Sequence, residues 1–346
     1  MPTGDEIAKK RKTLDDVARL AKVSPITVSR ALRMPDAVSP ELRARIDAAV
    51  HKLAYVPNLA ASRLASSRSH SVGVIVPTLY NVIFAEYLLA LHEVFLKSGY
   101  QVVVVNSRYS ALEEEQAIKT LLGQRVEAII VVGVDHTPMA RRLLQQAKIP
   151  VIETFELTDD PVDVNIGLSQ TGAGQAASEF LIGLGHRKIG FAMGHLDVRA
   201  AARLSGYKRA MRGAQLDSEN FVTSLAQQSS IALGSAILDV ILKKGALPEA
   251  LFCIDDNVAM GVAMKCRELA IRVPQDISIL GFHDLEFAAF GSPPLSTVAT
   301  HRYEIGKIAA EKTIDRLKGA KQSNSVCVDV GYEIIAREST SKRKGP

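Results

Sequence analysis

Two hydrophobic periodicities alternate along most of this chain. From residue 71 onward, short runs rich in β-branched residues alternate with longer stretches in which apolar residues recur every three or four positions. The short runs are typical of buried strands and the long stretches of amphipathic helices. Strands are predicted at 72–76, 102–105, 129–132, 151–152, 189–192, 251–254 and 277–280, and helices at 83–97, 111–124, 139–147, 176–184, 200–214 and 258–269.

This alternation predicts parallel sheets covered by helices, so the larger part of the chain is expected to be an α/β body. The pattern runs through two successive halves. Two doubly wound halves bind a ligand in the crevice at the carboxyl ends of their strands. The sequence therefore predicts a ligand cavity between two subdomains.

The first seventy residues have a different, purely helical pattern. Thr13 is suited to cap a helix whose apolar face includes Leu14 and Val17. After a three-residue break, Ser24-Pro25 begins a second helix, and Ser39-Pro40 begins a third. Three short helices with this tight turn predict a helix-turn-helix unit.

The second helix of such a unit normally enters the major groove of DNA with its N-terminal end first. We expect Pro25, Ile26, Thr27 and Arg30 to face the bases and nearby phosphates. Ser24, Ser29 and the N-terminus of the first helix, at Thr13 and Leu14, are expected to contact phosphates. A plain three-helix bundle is the alternative.

The charge distribution favours the nucleic-acid interpretation. Residues 1–70 hold 13 Lys and Arg against 7 Asp and Glu, whereas residues 71–346 hold 29 against 30. The net charge of +5 therefore arises from the first fifth of the chain. A small basic module joined to a neutral body indicates a polyanionic partner.

Other classes of chemistry find little support in the sequence. Cys253, Cys266 and Cys327 lack zinc-ligand spacing and are too few for a disulfide framework. No catalytic constellation, metal site or cofactor is predicted. The apolar runs are too short to cross a membrane and no signal peptide is evident, so a cytoplasmic protein without a membrane partner is expected.

The residues of the helical segment carry a family resemblance. The stretch 13–30, Val38-Ser39, Tyr55-Val56-Pro57-Asn58 and Leu64 together resemble the LacI/GalR (lactose-repressor) family of bacterial transcription regulators. The resemblance extends from about Leu14 to Ala336. It implies a three-helix headpiece and a body similar to periplasmic sugar-binding proteins.

The resemblance also implies a division of the chain. A headpiece would occupy residues 1–56, a hinge helix and linker 57–70, the body 71–338 and a basic tail 339–346. Within the body, one subdomain would take about 71–168 and 299–325, and the other about 169–298 and 326–338. In the family, paired hinge helices of a dimer insert leucines into the minor groove. Asn58, Ala61 and Leu64 are the matching DNA-contact candidates.

Effector contacts in this family lie at the ends of the body strands. Carried over to this sequence, they are Asn81, Phe84, Arg199, Arg203, Asp255, Asp256, His283 and Arg302. His283 stands where neutral-sugar members often have an aspartate, and Asp255 where they usually have an asparagine. Arg302 replaces an aromatic or polar residue.

Three arginines and a histidine would make the cavity cationic, and a guanidinium pairs naturally with a carboxylate. With Asp255 and Asp256 accepting hydrogen bonds from hydroxyl groups, the pattern favours a sugar acid such as gluconate or 2-ketogluconate. It is also similar to gluconate-operon repressors of the family. The same residues could instead have structural roles. Arg203 could connect strands, Arg199 could pair with Asp197, His283 could form a hydrogen bond within its turn, and Phe84 could belong to the core. For Glu153, a pocket role and an ion pair both remain open.

Two other protein classes match parts of the sequence. Gly172-Ala173-Gly174 with Asp197 partly fits the dinucleotide-binding fingerprint of an NAD-dependent enzyme, although glycines that allow close packing explain it better, and no enzyme is expected. A solute-binding transport protein fits the body but not the helix-turn-helix.

The expected protein is a homodimeric repressor on an inverted-repeat operator, and a neutral sugar or a corepressor is the alternative effector. The tail lacks heptads, which favours a dimer over a tetramer.

We predict that Leu64→Ala lowers specific operator affinity by a few kcal/mol, the scale of one unstacked base step. The apolar wedge would be lost while the phosphate contacts remain. Operator titrations at fixed salt measure the effect, because phosphate contacts make affinity salt-dependent. Unchanged affinity would show that Leu64 is not the wedge.

Overall fold

The computed structural model describes residues 12–56, 68–245, 247–319 and 326–343. They form two compact units, which divide between Ser69 and His70. The predicted hinge residues Asn58, Ala61 and Leu64 lie outside the described residues.

The first unit contains the three predicted helices, α1 (Leu14–Ala21), α2 (Pro25–Arg33) and α3 (Pro40–Leu53), with a 3-10 turn at Pro35–Ala37. The predicted caps are confirmed: the side chains of Thr13, Ser24 and Ser39 accept the backbone N–H groups of Asp16, Thr27 and Leu42. Each cap satisfies a donor that the first helical turn leaves without a partner. The core is small and closed by residues from all three helices, among them Val17, Val28, Ile46 and Ala49.

The second unit begins with a lobe built on a parallel sheet. Its strands are β1 (Ser71–Val76), β2 (Gln101–Asn106), β3 (Ala128–Val132), β4 (Val151–Glu156), β5 (Val164–Leu168) and β11 (Val326–Asp329), in the spatial order β11-β5-β4-β3-β1-β2. The helices of this lobe are α4 (Ile83–Lys97), α5 (Ala111–Gly123), α6 (Pro138–Gln146) and α11 (Arg302–Leu317). Four central strands are buried along their whole length, and β3 accordingly consists entirely of apolar residues.

A second lobe repeats the plan with a smaller parallel sheet. Its strands are β6 (Ile189–Met193), β7 (Val222–Ser224), β8 (Ala250–Cys253) and β9 (Ser278–Leu280), in the order β7-β6-β8-β9. Its helices are α7 (Gln170–Gly183), α8 (Val198–Gly213), α9 (Ile231–Lys243) and α10 (Asp256–Glu268), with a 3-10 turn at Glu286–Phe290. Strands β10 (Thr297–Ala299) and β12 (Glu333–Ile335) form a separate antiparallel pair.

The structure corrects two assignments made from the sequence. Residues 326–338 were placed in the second lobe, but β11 pairs with β5 in the first sheet. Residues 339–343, expected to be a tail, instead run along β9, where the N–H of Ile279 donates to the carbonyl of Ser339 at 2.8 Å. Short edge segments have no periodicity that identifies their sheet, because pairing depends on distant parts of the chain.

Close packing of α7 against α8 depends on glycine. A Cβ atom on Gly206 would lie 2.1 Å from the carbonyl oxygen of Thr171, and one on Gly174 would lie 2.4 Å from that of Arg203. Gly172 and Gly174 lie within α7, which begins at Gln170. The dinucleotide fingerprint requires its glycines in a turn that precedes the helix, so these glycines fit helix packing instead.

Among the described residues, no helix combines the length and the apolar character needed to cross a membrane.

We predict that Gly206→Ala lowers the thermal midpoint of the full chain by at least ~3 °C. An extra methyl group must push α7 and α8 apart, and overpacking of this kind costs roughly 1–3 kcal/mol. Gly213→Ala is the matched control on the same helix, because a Cβ atom there meets open space. Gly213→Ala should keep or raise the midpoint. Equal losses in both variants would contradict the packing argument.

Candidate functional site

A cavity of about 290 Å³ lies between the two lobes of the second unit. It is formed where parallel strands of both sheets end, which is the usual position of a ligand site in open α/β sheets. The first lobe contributes Thr78, Tyr80, Asn81, Ile83, Phe84, Arg108, Tyr109 and Phe155. The second lobe contributes Gly194, His195, Asp197, Arg199, Ala200, Arg203, Ala226, Gln227, Gln228, Ser229, Ile254, Asp255 and His283.

Two predicted residues lie in the wall of the first lobe. The side-chain oxygen of Asn81 accepts the backbone N–H of Ile83 at 3.1 Å and so shapes the start of α4. Phe84 is buried and contacts the ring of Phe155 edge-to-face, with 5.4 Å between ring centroids. Phe84 is therefore both a core residue and a cavity-lining residue.

Arg199 extends from the first turn of α8 towards the first lobe. Its Nη2 donates to Asp197 at 3.2 Å, and its guanidinium carbon lies 6.0 Å from the centre of the Tyr109 ring. A Cβ atom on Gly133, which has a φ of +108°, would lie 3.4 Å from Nη1 of Arg199. Burial opposes its charge, but the carboxylates of Asp197 and Glu156 outweigh burial and raise the pKa of Arg199. The guanidinium is thus a fixed cation between the lobes.

Arg203, one helical turn later, makes more extensive contacts. Its Nε donates to Gln170 at 2.8 Å and its Nη1 donates to the carbonyl of Ile254 at 2.7 Å. The guanidinium carbon lies 4.1 Å from the centre of the Phe282 ring, within the range of a cation–π contact. Burial lowers the pKa of Arg203 to about 10. Arg203 lines the cavity and also clamps α7 to the ends of β8 and β9.

Asp255 and His283 form another part of the second-lobe wall. Asp255 caps α10 by accepting the N–H of Val258 at 3.0 Å, and it accepts a hydrogen bond from the hydroxyl of Ser229. Burial raises the pKa of Asp255. His283 bonds to Thr300 through Nδ1 at 3.0 Å, and burial together with the charge of Arg203 places its pKa well below the ordinary value. The imidazole is therefore neutral near pH 7 and adds no positive charge to the cavity.

Asp256 does not line the cavity, contrary to the sequence-based expectation. Its carboxylate accepts the hydroxyl of Thr297 at 2.6 Å and the N–H of Leu285 at 2.7 Å. It is fully buried, and burial raises its pKa to about 7. The two oxygens tie the 281–285 segment to β10, so Asp256 has a structural position while its neighbour Asp255 faces the cavity.

Arg302 also lies outside the cavity wall. It is the first residue of α11, where its Nη2 donates to Glu86 of α4 at 2.9 Å and to the carbonyl of Asp284 at 3.3 Å. Its side chain is 4% exposed. The structure therefore does not place Arg302 in the cavity wall, because its side chain turns towards α4, a direction that its position after a strand did not reveal.

Several cavity residues were not predicted. Tyr109, Gln227, Gln228 and Ser229 lie in connections between a strand and the following helix, where no hydrophobic period distinguishes cavity residues from surface residues. Arg108 also lines the cavity and pairs with Glu113. Proximity to the ends of β2 and β7 is the only sequence signal that would have identified them.

Glu156, at the end of β4, lies close to this charge cluster. It is 6% exposed, and its Oε2 has no hydrogen-bond partner among the described residues. Burial raises its pKa to about 7, and the nearby charge of Arg199 partly opposes this shift. Glu156 is therefore a buried carboxyl group that is partly protonated near neutral pH.

Glu153, two residues earlier in β4, has the ion-pair role rather than a pocket role. His136 bridges Glu114 at 2.6 Å and Glu153 at 3.1 Å. Burial opposes the charge of the imidazole, but the two carboxylates prevail and raise the pKa of His136 to about 9. The cluster lies outside the cavity wall, and among the described residues no group of His, Cys, Asp and Glu is arranged to hold a metal ion.

In the first unit, the predicted DNA-contact residues lie at the starts of two helices. Thr13 forms a capping box with Asp16, and Leu14 packs partly against the helical core. Pro25, Ile26 and Arg30 of α2 are exposed, whereas Thr27 and Ser29 are half-buried. The first two turns of α2 thus expose an apolar residue, Ile26, and a basic one, Arg30.

Comparison with known proteins agrees with this two-unit organisation. The model for bacterial regulatory proteins of the lacI family matches residues 13–58, and the model for the periplasmic binding protein-like domain matches residues 178–340. The HTH-type transcriptional regulator GntR of Pseudomonas aeruginosa is 37% identical over 331 residues, covering 95% of this chain and 96% of the relative. The chain belongs to the lacI family of bacterial regulatory proteins.

Solved lacI-family structures support the same fold along the chain. A LacI family transcriptional regulator from Silicibacter pomeroyi is 32% identical with a TM-score of 0.88, covering 96% of this chain and all of that one. The lac repressor dimer bound to operator is 26% identical with a TM-score of 0.81, again covering 96% of this chain and all of that one. As a lacI-family member, this protein is a transcription regulator with a DNA-binding helix-turn-helix unit and an effector-binding body.

We predict that Glu156→Gln stabilises the protein at pH 8 and not at pH 4.5. The folded protein holds the Glu156 proton up to about pH 7, whereas an ordinary glutamate releases it near pH 4.5. The stabilising contribution of this proton is complete below pH 4.5 and lost as pH rises through 7. The difference amounts to about 3 kcal/mol above pH 8.

Thermal unfolding of both proteins between pH 4.5 and 8.5 measures this effect. Glu311→Gln, at an exposed carboxylate of α11, serves as the control and should leave the pH profile unchanged. A constant difference between Glu156→Gln and the parent across this range would contradict a raised pKa.

Proposed function

We propose that this lacI-family regulator is a repressor that a sugar acid, gluconate or 2-ketogluconate, releases from its operator. The observation that carries the proposal is the Arg199 guanidinium in the cavity wall. It makes a hydrogen bond to Asp197, although a guanidinium has five N–H donors. Donors of Arg199 therefore remain for a carboxylate that enters the cavity, with which a guanidinium forms two parallel bonds.

Other groups of the wall suit a polyhydroxylated ligand. Asn81, Tyr109, Gln227, Ser229 and Asp255 line the cavity and supply both donors and acceptors. The volume of about 290 Å³ is at the small end of ligand sites, which favours a compact metabolite over a dinucleotide. A six-carbon acid with several hydroxyl groups matches this combination of size, charge and polarity.

The charge state of each cation decides which group recognises the anion. His283 is neutral, Arg302 is paired with Glu86 outside the cavity, and two donors of Arg203 are engaged within the protein. Arg199 is consequently the principal carboxylate partner in our proposal, and Arg203 adds positive potential behind it. The resemblance to gluconate-operon repressors and the GntR relative support the same class of effector.

Release from DNA requires the effector to favour one conformation of the body over another. In our proposal, the ligand draws the two lobes together, because Arg199 of the second lobe and Asn81 of the first contact the same molecule. The change is transmitted through the dimer to a hinge at residues 57–70, between a headpiece at 1–56 and a body at 71–338. Two headpieces of a homodimer would then lose their joint hold on an inverted-repeat operator.

The test measures release of the full-length protein from a fluorescent operator obtained by selection from random duplexes. Gluconate and 2-ketogluconate should release the operator, whereas glucose at the same concentrations should not. Release by glucose alone would favour a neutral-sugar regulator, and tighter binding with gluconate would indicate a corepressor. Either outcome overturns the proposal.

We predict that Arg199→Gln raises the gluconate concentration needed for half-release by about 10- to 100-fold. A charge-assisted hydrogen bond contributes about 1.5–3 kcal/mol, which corresponds to this range. Operator affinity without gluconate should not change, since Arg199 lies in the body. Arg209→Gln, an exposed arginine on the same helix, is the control and should respond like the parent. An unchanged gluconate response in Arg199→Gln would remove Arg199 from the site.

A further inference from the structure

The N-terminal end of α2 exposes an apolar surface. Pro25 and Ile26, its first two residues, are exposed, and 73% of the Ile26 surface is accessible. The helical core closes around Val17, Val28 and Ile46 without Ile26. A β-branched aliphatic side chain therefore projects from the end of the helix that enters the major groove first.

The polar groups next to Ile26 are already engaged within the protein. The hydroxyl oxygens of Ser24 and Thr27 lie 2.8 Å apart, and Ser24 also accepts the backbone N–H of Thr27 at 3.2 Å. These contacts form the helix cap and pair the two hydroxyl groups with each other. The next exposed side chain on the Ile26 face is Arg30, one helical turn later.

Base edges in the major groove offer one apolar group to such a surface. Adenine, guanine and cytosine present hydrogen-bond donors and acceptors there, whereas thymine also presents its C5-methyl group. Contact between the isoleucine side chain and the thymine methyl group favours binding. Covering a polar base edge disfavours binding, because isoleucine has no side-chain donor or acceptor to replace the lost hydrogen bonds.

We propose that Ile26 is a specificity-determining residue that recognises the C5-methyl group of a thymine in each operator half-site. The inference rests on DNA binding by the helix-turn-helix unit and is independent of the effector. Thymine is preferred at that position because its methyl group packs against the isoleucine side chain. Arg30 supplies the polar contact one turn away, to a neighbouring base or phosphate.

The test uses the full-length protein and an operator selected from random duplexes. Each conserved thymine is replaced in turn by deoxyuridine, which removes the methyl group and keeps every hydrogen-bonding atom. At one thymine position, this replacement should weaken binding about three- to fivefold in one half-site and about tenfold or more in both, the scale of one buried methyl group per half-site. Affinities are compared at one salt concentration.

Ile26→Ala should bind the thymine and deoxyuridine operators with equal affinity, because the contacting methyl groups are gone. Met34→Ala, at an exposed residue that follows the same helix, is the matched control and should keep the discrimination of the parent. Both residues are exposed, so far-ultraviolet circular dichroism should show unchanged helix content. The proposal is overturned if no thymine is sensitive to deoxyuridine, or if Ile26→Ala retains the full discrimination.

Discussion

Burial of the Arg199 guanidinium between two lobes is the interaction on which the cavity depends. A buried cation is tolerated only where opposite charge or hydrogen bonds compensate for lost hydration. Here the compensation comes from Asp197 on the same helix and from the field of Glu156 in the other lobe. The compensation comes from both sides of the cavity, so a ligand anion that pairs with Arg199 changes the electrostatic balance between the lobes.

Other buried charged residues of the body are bound within the protein, so Arg199 is the one we propose to pair with a ligand anion. Arg203 joins α7 to the ends of β8 and β9, Asp256 holds the segment that precedes β10, and Arg302 connects α11 with α4. Each has two or more partners within the protein. These contacts give the cavity a rigid frame, in which a side chain with spare donors is positioned before the ligand arrives.

The sequence predicted features that depend on neighbouring residues better than features that depend on distant ones. Thr13, Ser24 and Ser39 were identified as caps because a cap depends on three or four consecutive residues. Arg199, Asp255 and His283 were expected at the cavity because the family resemblance implies effector contacts at the ends of the body strands, and strands of both sheets end there. Asp255 and Asp256 could not be distinguished, since consecutive residues at a helix start point in different directions.

Arg302 shows most clearly which contacts could not be predicted from the sequence. Its partner Glu86 is 216 positions away, and no local pattern records that pairing. The same reason explains the misassigned β11, whose partner β5 is more than 150 residues earlier, and the unpredicted loop residues Tyr109 and Ser229. The sequence left undetermined the long-range pairing, the direction of individual side chains, and several elements for which it predicted no run, including β5, β7 and α9.

In the proposed mechanism, occupation of the cavity and occupation of the operator oppose each other. Thermodynamic linkage requires that each ligand weaken the other by the same factor. Calorimetric titration of gluconate into free protein and into protein saturated with operator tests this directly. We expect gluconate to have a larger dissociation constant in the operator complex than in free protein, by the same factor by which gluconate lowers operator affinity. Equal dissociation constants for free and operator-bound protein would contradict it.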